Sequence, residues 1–217
     1  MPGAVTQRAS RNEEPQPKQG SCAGIGYTGR AVITLALDTS TPYLTLGLSW
    51  PSGDLGHAPH LERAHAERLP AEVQALFSEA GLPLRADRIV IGTGPGSYTG
   101  VRVGASYALA LARVWQAELL GVSTLTALLP TDGSADGTYL PALDARRDHV
   151  YAGVYQVTKG NVEELTAPTK LPAADLDALA TEHQASIRQD VQPSGLSLIR
   201  AAQSLGQPQP ELALSYL

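Results

Sequence analysis

The feature of this 217-residue sequence best suited to chemistry is the glycine-rich run GTGPGSYTGVRVG at 92–104, set between an apolar strand pattern and an apolar helix pattern. Strand, glycine turn, helix is the order that presents backbone N–H groups and a helix N-terminus to an anion. Gly94, Gly96 and Ser97 are therefore candidate phosphate contacts, with Asp38 at the end of an earlier strand as a fourth. The competing reading is packing alone, in which glycines let the turn reverse tightly and the helix approach the sheet. The run is not a P-loop, because no Lys-Ser/Thr pair follows the glycines. As a dinucleotide fingerprint it is a spacing variant after a late strand. Glu118, the acid expected on a ribose, precedes its strand instead of ending it.

Other residue types narrow the chemistry further. Asp38 is followed by Thr39-Ser40-Thr41 and Asp144 by Ala145-Arg146-Arg147. Neither has the close glycine that admits a phosphate, and an Asx-type turn accounts for both. His57 and His60 stand in a Gly/Pro loop, His65 has Leu69 four positions on, and His149 and His183 are isolated, so no metal-ligating pair is expected. No nucleophile–base constellation of a protease is visible. Cys22 is the only cysteine, which excludes an internal disulfide and a cysteine zinc cage. The balance of 16 basic against 21 acidic residues leaves a net charge of −5, unlike a stand-alone nucleic-acid binder. No run reaches a membrane span, and the first residues lack an apolar signal core, so a cytoplasmic protein without membrane contact is expected.

These residues need elements to position them. Residues 1–31 are polar and aperiodic and read as a disordered extension. Strand patterns follow at 32–38 and 43–50, a short third strand, a helix at 66–80, a strand at 88–94, a helix at 99–115 and a strand at 119–123. Strands alternating with helices indicate an α/β fold. Beyond 137 the pattern restarts: Ala142, Asp144 and Gly153 match Ala36, Asp38 and Gly47 at one offset of 106 without a gap. This reads as an internal duplication with a degraded second copy, dividing the chain into 1–31, 32–117 and 118–217, with later helices near 173–181 and 194–205. The helix at 99–115 is apolar almost all round, with Arg102, Ser106 and Arg113 grouped within about 40°. It needs covering on a second side, either by the chain's own second half or by a partner meeting the Gly104, Ala108, Ala112 stripe.

The segments LALDTST, HAERLPAEVQALFSEAGL, GTGPGSYTGVRVGASYALALA and LDARRDHVYAGVY resemble, in that order, the TsaB (YeaZ) family of tRNA threonylcarbamoyladenosine biosynthesis. That family is related to the glycoprotease-like TsaD/Kae proteins. The resemblance covers about 32–157, and the terminal ALSYL is similar to the family's usual ending. It implies an actin-like ASKHA (ribonuclease H-like) α/β fold of two related halves. It also implies a non-catalytic scaffold that activates a metal-dependent catalytic paralogue, TsaD, in a complex acting beside the tRNA anticodon. The implied partners extend to the ATPase TsaE through that complex, to a homodimer, and to tRNA only through the complex. No cofactor is expected to bind firmly, and nucleotide is expected at most at a shared subunit interface. The family associates through its first two helices. This points to His65, Leu69, Val73 and Leu76 on one, and to Arg102, Gly104, Tyr107, Ala108 and Leu111 on the other. The rival reading, an actin-like ATPase or sugar-kinase-like enzyme, needs a phosphate clamp in both halves, and the second half lacks one.

Overall fold

A computed structural model describes residues 32–61, 64–133 and 135–205, with the backbone of 207–208. The expected extension at 1–31 and the terminal ALSYL lie outside the described residues. The first copy comprises β1 (Thr34–Asp38), β2 (Thr45–Trp50), β3 (Gly53–His57), α1 (His65–Glu79), β4 (Arg88–Gly92) and α2 (Tyr98–Trp115). After β5 (Glu118–Val122) and a 3-10 turn at Thr124–Leu128, the second copy runs β6 (Gly137–Asp144), β7 (His149–Thr158), β8 (Asn161–Pro172), α3 (Leu176–His183), β9 (Ser186–Arg188) and α4 (Gly195–Leu205), followed by β10 (Gln207–Pro208).

The same order builds both sheets. β1 pairs antiparallel with β2 and parallel with β4, and β6 pairs antiparallel with β7 and parallel with β9. The six-stranded sheet runs β10-β5-β4-β1-β2-β3 and the four-stranded sheet β8-β7-β6-β9. The duplication read from the 106-residue offset is thus a repeat of topology.

Alternation along the strands sorts the core. Leu35, Leu37, Leu44, Leu46, Leu48, Ile89 and Ile91 point to one face of the first sheet, where α1 and α2 cover them. Ala36, Val90, Leu120 and Val122 point to the other face, where Leu198, Ile199 and Ala202 of α4 meet them. β1 and β4 are parallel and buried on both faces, which is why their sequences are near-continuous apolar runs. α1 starts at His65, which puts Pro70 in the second turn on the exposed side.

Three expectations need correcting. β5 hydrogen-bonds in parallel to β4, so the first sheet extends past residue 117, where the halves had been divided. α4, from the second copy, packs on the first sheet, so the halves interlock rather than follow one another. β8 and β9 were not anticipated. β8 is twelve residues long, mostly exposed, and contains Pro168, so it carries no apolar alternation and is held by backbone pairing to β7.

α4 reaches the first sheet through two glycines. A Cβ on Gly47 would run into the backbone of Gly195, and a Cβ on Gly195 would run into the backbone of Leu46 and Gly47. Gly195→Ala is expected to destabilise the protein by about 3 kcal/mol, the upper end of overpacking costs, because backbone on both sides resists relaxation. Urea unfolding should show a lower midpoint with an unchanged slope.

Candidate functional site

The end of β1 is tied down by a buried carboxylate. Asp38 is 1% exposed. Its Oδ1 accepts from the Ser40 N–H at 2.7 Å and its Oδ2 from the Thr124 hydroxyl at 2.6 Å. Thr124 Oγ1 also accepts from the Gly94 N–H at 3.1 Å and lies 2.9 Å from Ser40 Oγ. Burial outweighs these hydrogen bonds and the nearby His65, and raises the Asp38 pKa above the ordinary carboxylate value. In the second copy, Asp144 Oδ1 accepts from the Arg146 N–H at 2.8 Å, the same Asx turn at the same offset, but Asp144 is exposed.

The glycine-rich run faces this turn. Ser97 caps α2, its Oγ accepting from Gly100 N at 3.3 Å. The Ser97 N–H donates to Ser40 O at 2.7 Å, and the Thr39 hydroxyl donates to Gly100 O at 2.6 Å. A Cβ at Gly92 would meet the Asp38 carboxylate, at Gly96 the Ser40 carbonyl, and at Gly100 the Thr39 carbonyl. Each glycine therefore has a packing reason to be there.

A cavity of about 870 Å³ opens beside these residues, and both copies line it. Gly96 and Ser97 border it opposite Asp144 and Arg146 of the β6–β7 turn. Asp38 and Gly94 do not border it, and their polar groups are engaged with Ser40 and Thr124. The four candidate contacts are neighbours, but only two face the space. His65 also borders the cavity; it is buried, and its Nε2 has no hydrogen-bond partner among the described residues. Among the described residues no group of three His, Cys, Asp or Glu side chains is placed to hold a metal ion. Glu118 pairs with Arg88 at 2.8 Å, between neighbouring parallel strands. Sequence reasoning missed Thr124, the hub of the network; it lies 86 residues from Asp38, and no local pattern marks it.

The expected partner face is largely interior. Leu69, Val73, Leu76 and Ala108 are at most 1% exposed and belong to one core cluster, and His65 is buried. Gly104 faces the sheet as well: a Cβ there would stand 2.6 Å from Thr39 Oγ1 and 3.1 Å from Ile91. The small-residue stripe thus lets α2 close on its own sheet, and these six positions are withdrawn from the partner surface. Arg102, Tyr107 and Leu111 remain at the surface, wholly or in part. Arg102 donates to the Tyr98 hydroxyl at 3.0 Å and lies over the Tyr98 ring. Among the described residues no helix is long and apolar enough to cross a membrane.

Two copies of one βββαβα unit on either side of a shared cleft define an actin-like ASKHA fold. A family model described as TsaD, tRNA N6-adenosine threonylcarbamoyltransferase, matches residues 57–210. A solved structure of YeaZ from Pseudomonas aeruginosa superposes with a TM-score of 0.71 and 30% identity, covering 86% of this chain and 100% of that one. The Bacillus subtilis tRNA threonylcarbamoyladenosine biosynthesis protein TsaB is 34% identical over 145 residues, which is 65% of this chain and 62% of that protein's length. A Mycobacterium tuberculosis protein described only as uncharacterized is 33% identical over 195 residues, 83% of this chain and 89% of its own. The chain belongs to the TsaB (YeaZ) family.

Three outcomes follow from this geometry. Asp38 keeps its proton in the native state at pH values where the unfolded chain, near the ordinary value of 3.8, has lost it. Its contribution to stability is therefore full below that value and falls as pH rises toward the raised native one. Asp38→Asn should flatten this slope in unfolding titrations run across acid to neutral pH. Asp38→Ala, which strands the Ser40 N–H and the Thr124 hydroxyl, should cost about 2–3 kcal/mol. Ala108→Arg places a cation in the core and should unfold the isolated chain, seen as loss of the cooperative melt in circular dichroism.

Proposed function

We propose that the chain is the non-catalytic, activating subunit of the assembly that makes threonylcarbamoyladenosine beside the tRNA anticodon, paired with the metal-dependent catalytic paralogue TsaD. The observation that carries this reading is an apolar stripe left open on α2. Val103, Tyr107 and Leu111 are half-buried at four-residue spacing, and Val114, next in line, is 77% exposed. On α1, exposed Ala66, Pro70 and Gln74 repeat at the same spacing, and Ala66 borders the same cavity as Val103. Two adjacent helices with such a surface suit burial against a helical partner.

A non-catalytic role is supported by what the site residues already do. Leu69, the position of a second histidine ligand, is core, and the Asp38 carboxylate is spent on the chain's own turn. The net charge of −5 leaves little to attract tRNA directly, so RNA meets this chain only through the complex, as does the ATPase TsaE that the family resemblance implies. The setting is the cytoplasm, the same stripe serves a homodimer when TsaD is absent, and any nucleotide belongs to the shared subunit interface.

The test uses Ala110→Glu combined with Val114→Glu, both exposed on α2 and one turn apart beside the stripe. The variant should melt like the wild type yet bind the TsaD paralogue about 100-fold more weakly, and cells relying on it should lack the modified nucleoside. Co-elution of the double variant with TsaD at wild-type affinity would remove this face from consideration.

A further inference from the structure

On the opposite side of the first sheet from α1 and α2, a second cavity of about 270 Å³ lies where α4, the β2–β3 hairpin and the β7–β8 turn converge. Its most informative residue is Arg200. The guanidinium is half-buried and donates through Nη1 to the Thr131 carbonyl. Among the described residues no carboxylate pairs with it, whereas Arg68 is matched to Glu72 and Arg88 to Glu118. A guanidinium that has lost part of its water and uses one carbonyl has most of its donors left over.

A second cation is brought to the same place by the backbone. Lys159 and Gly160 form the β7–β8 turn with φ of 51° and 81°. The Lys159 N–H donates to Asp136 Oδ1 at 2.6 Å, and the Val162 N–H donates to Ser204 Oγ at 3.1 Å, which fixes the turn from both sides. A Cβ on Gly160 would stand 3.0 Å from Thr131 O and 3.7 Å from Arg200 Nη1, so the turn lies directly over the guanidinium. The Lys159 ammonium is exposed and has no carboxylate partner among the described residues. Across the cavity Asp54 is exposed and paired in register with Ser49, and the amides of Asn161 and Gln203 border the space between.

We propose that this cavity binds a compact, hydroxyl-bearing phosphate ester, its phosphate clamped between Arg200 and Lys159. The planar guanidinium offers a paired donor edge and the ammonium a movable point charge, the combination that suits a phosphate. Asp54, with the two amides, accepts from ligand hydroxyls at the other end. The volume falls below the roughly 300 Å³ at which pockets start to hold drug-sized molecules, which favours a three- to five-carbon ester over a whole nucleotide. The site does not rest on the role proposed above, since it shares no residue with the α1–α2 surface.

Isothermal titration of the full chain with glycerol 3-phosphate, and separately with inorganic phosphate, at constant ionic strength, tests the site. Both should bind saturably. Lys159→Gln, an exposed change that keeps the fold, should weaken both at least tenfold, and Arg200→Lys should do the same by removing the fork while keeping the charge. Asp54→Asn should weaken glycerol 3-phosphate but not inorganic phosphate, because only the ester offers carbon-borne hydroxyls. Absence of saturable binding up to about 10 mM, or equal binding by wild type and Lys159→Gln, would overturn the assignment.

Discussion

The seating of α4 on the backbone of β2 is the contact from which the rest of the architecture follows. Gly195 and Gly47 allow a helix from the second copy to touch the first sheet with no side chain between them. Leu198, Ile199 and Ala202 then close the second face of that sheet, while Ala201 joins Tyr155, Val157 and Val162 beneath the other sheet. One helix therefore serves two cores. Neither sheet retains its interior without the other, and the cleft between the copies is set by packing, with no hinge of independent domains.

The glycine-rich run gains its meaning from this frame. It has the local order of an anion cradle, yet the groups that approach it are the chain's own: the Ser40 and Thr39 carbonyls and the Asp38 carboxylate. Glycines at 92, 96, 100 and 104 make a socket for the β1–β2 turn, and Thr124 locks that turn from the far side of the sheet. Backbone and carboxylate oxygens stand where a side chain at Gly92, Gly96 or Gly100 would have to go.

How much of this was legible in the sequence depended on range and burial. β1, β4, α1 and α2 were legible because burial on two faces, or on one helical stripe, imposes an apolar period. The Asx turns were legible because they span two residues. β8 was not, because an exposed edge strand is held by its neighbour's backbone and its own side chains are free to vary. The Gly104–Ala108 stripe was read with the wrong side outward. Small residues permit close approach by anything, and the large Leu37 and Ile91 on the sheet, which require small residues opposite them, are distant in sequence. Thr124 and the pairing of Arg200 with the Lys159 turn depend on contacts across the fold and leave no local trace. Tyr107 and Leu111 were singled out on this helix by its shortage of polar positions, whereas Val103 beside them was read only as one more apolar residue.

The two Asx turns differ in one respect: Asp38 is sealed in the interior and Asp144 faces water. Solvent can replace what the Asp144 carboxylate does for its turn, whereas nothing can replace what Asp38 does for Ser40 and Thr124. Mutational tolerance is consequently lopsided between the duplicated copies. The β6–β7 turn is free to drift in sequence and take on new contacts, including those with other molecules, while the β1–β2 turn is held to its present residues by the demands of folding alone.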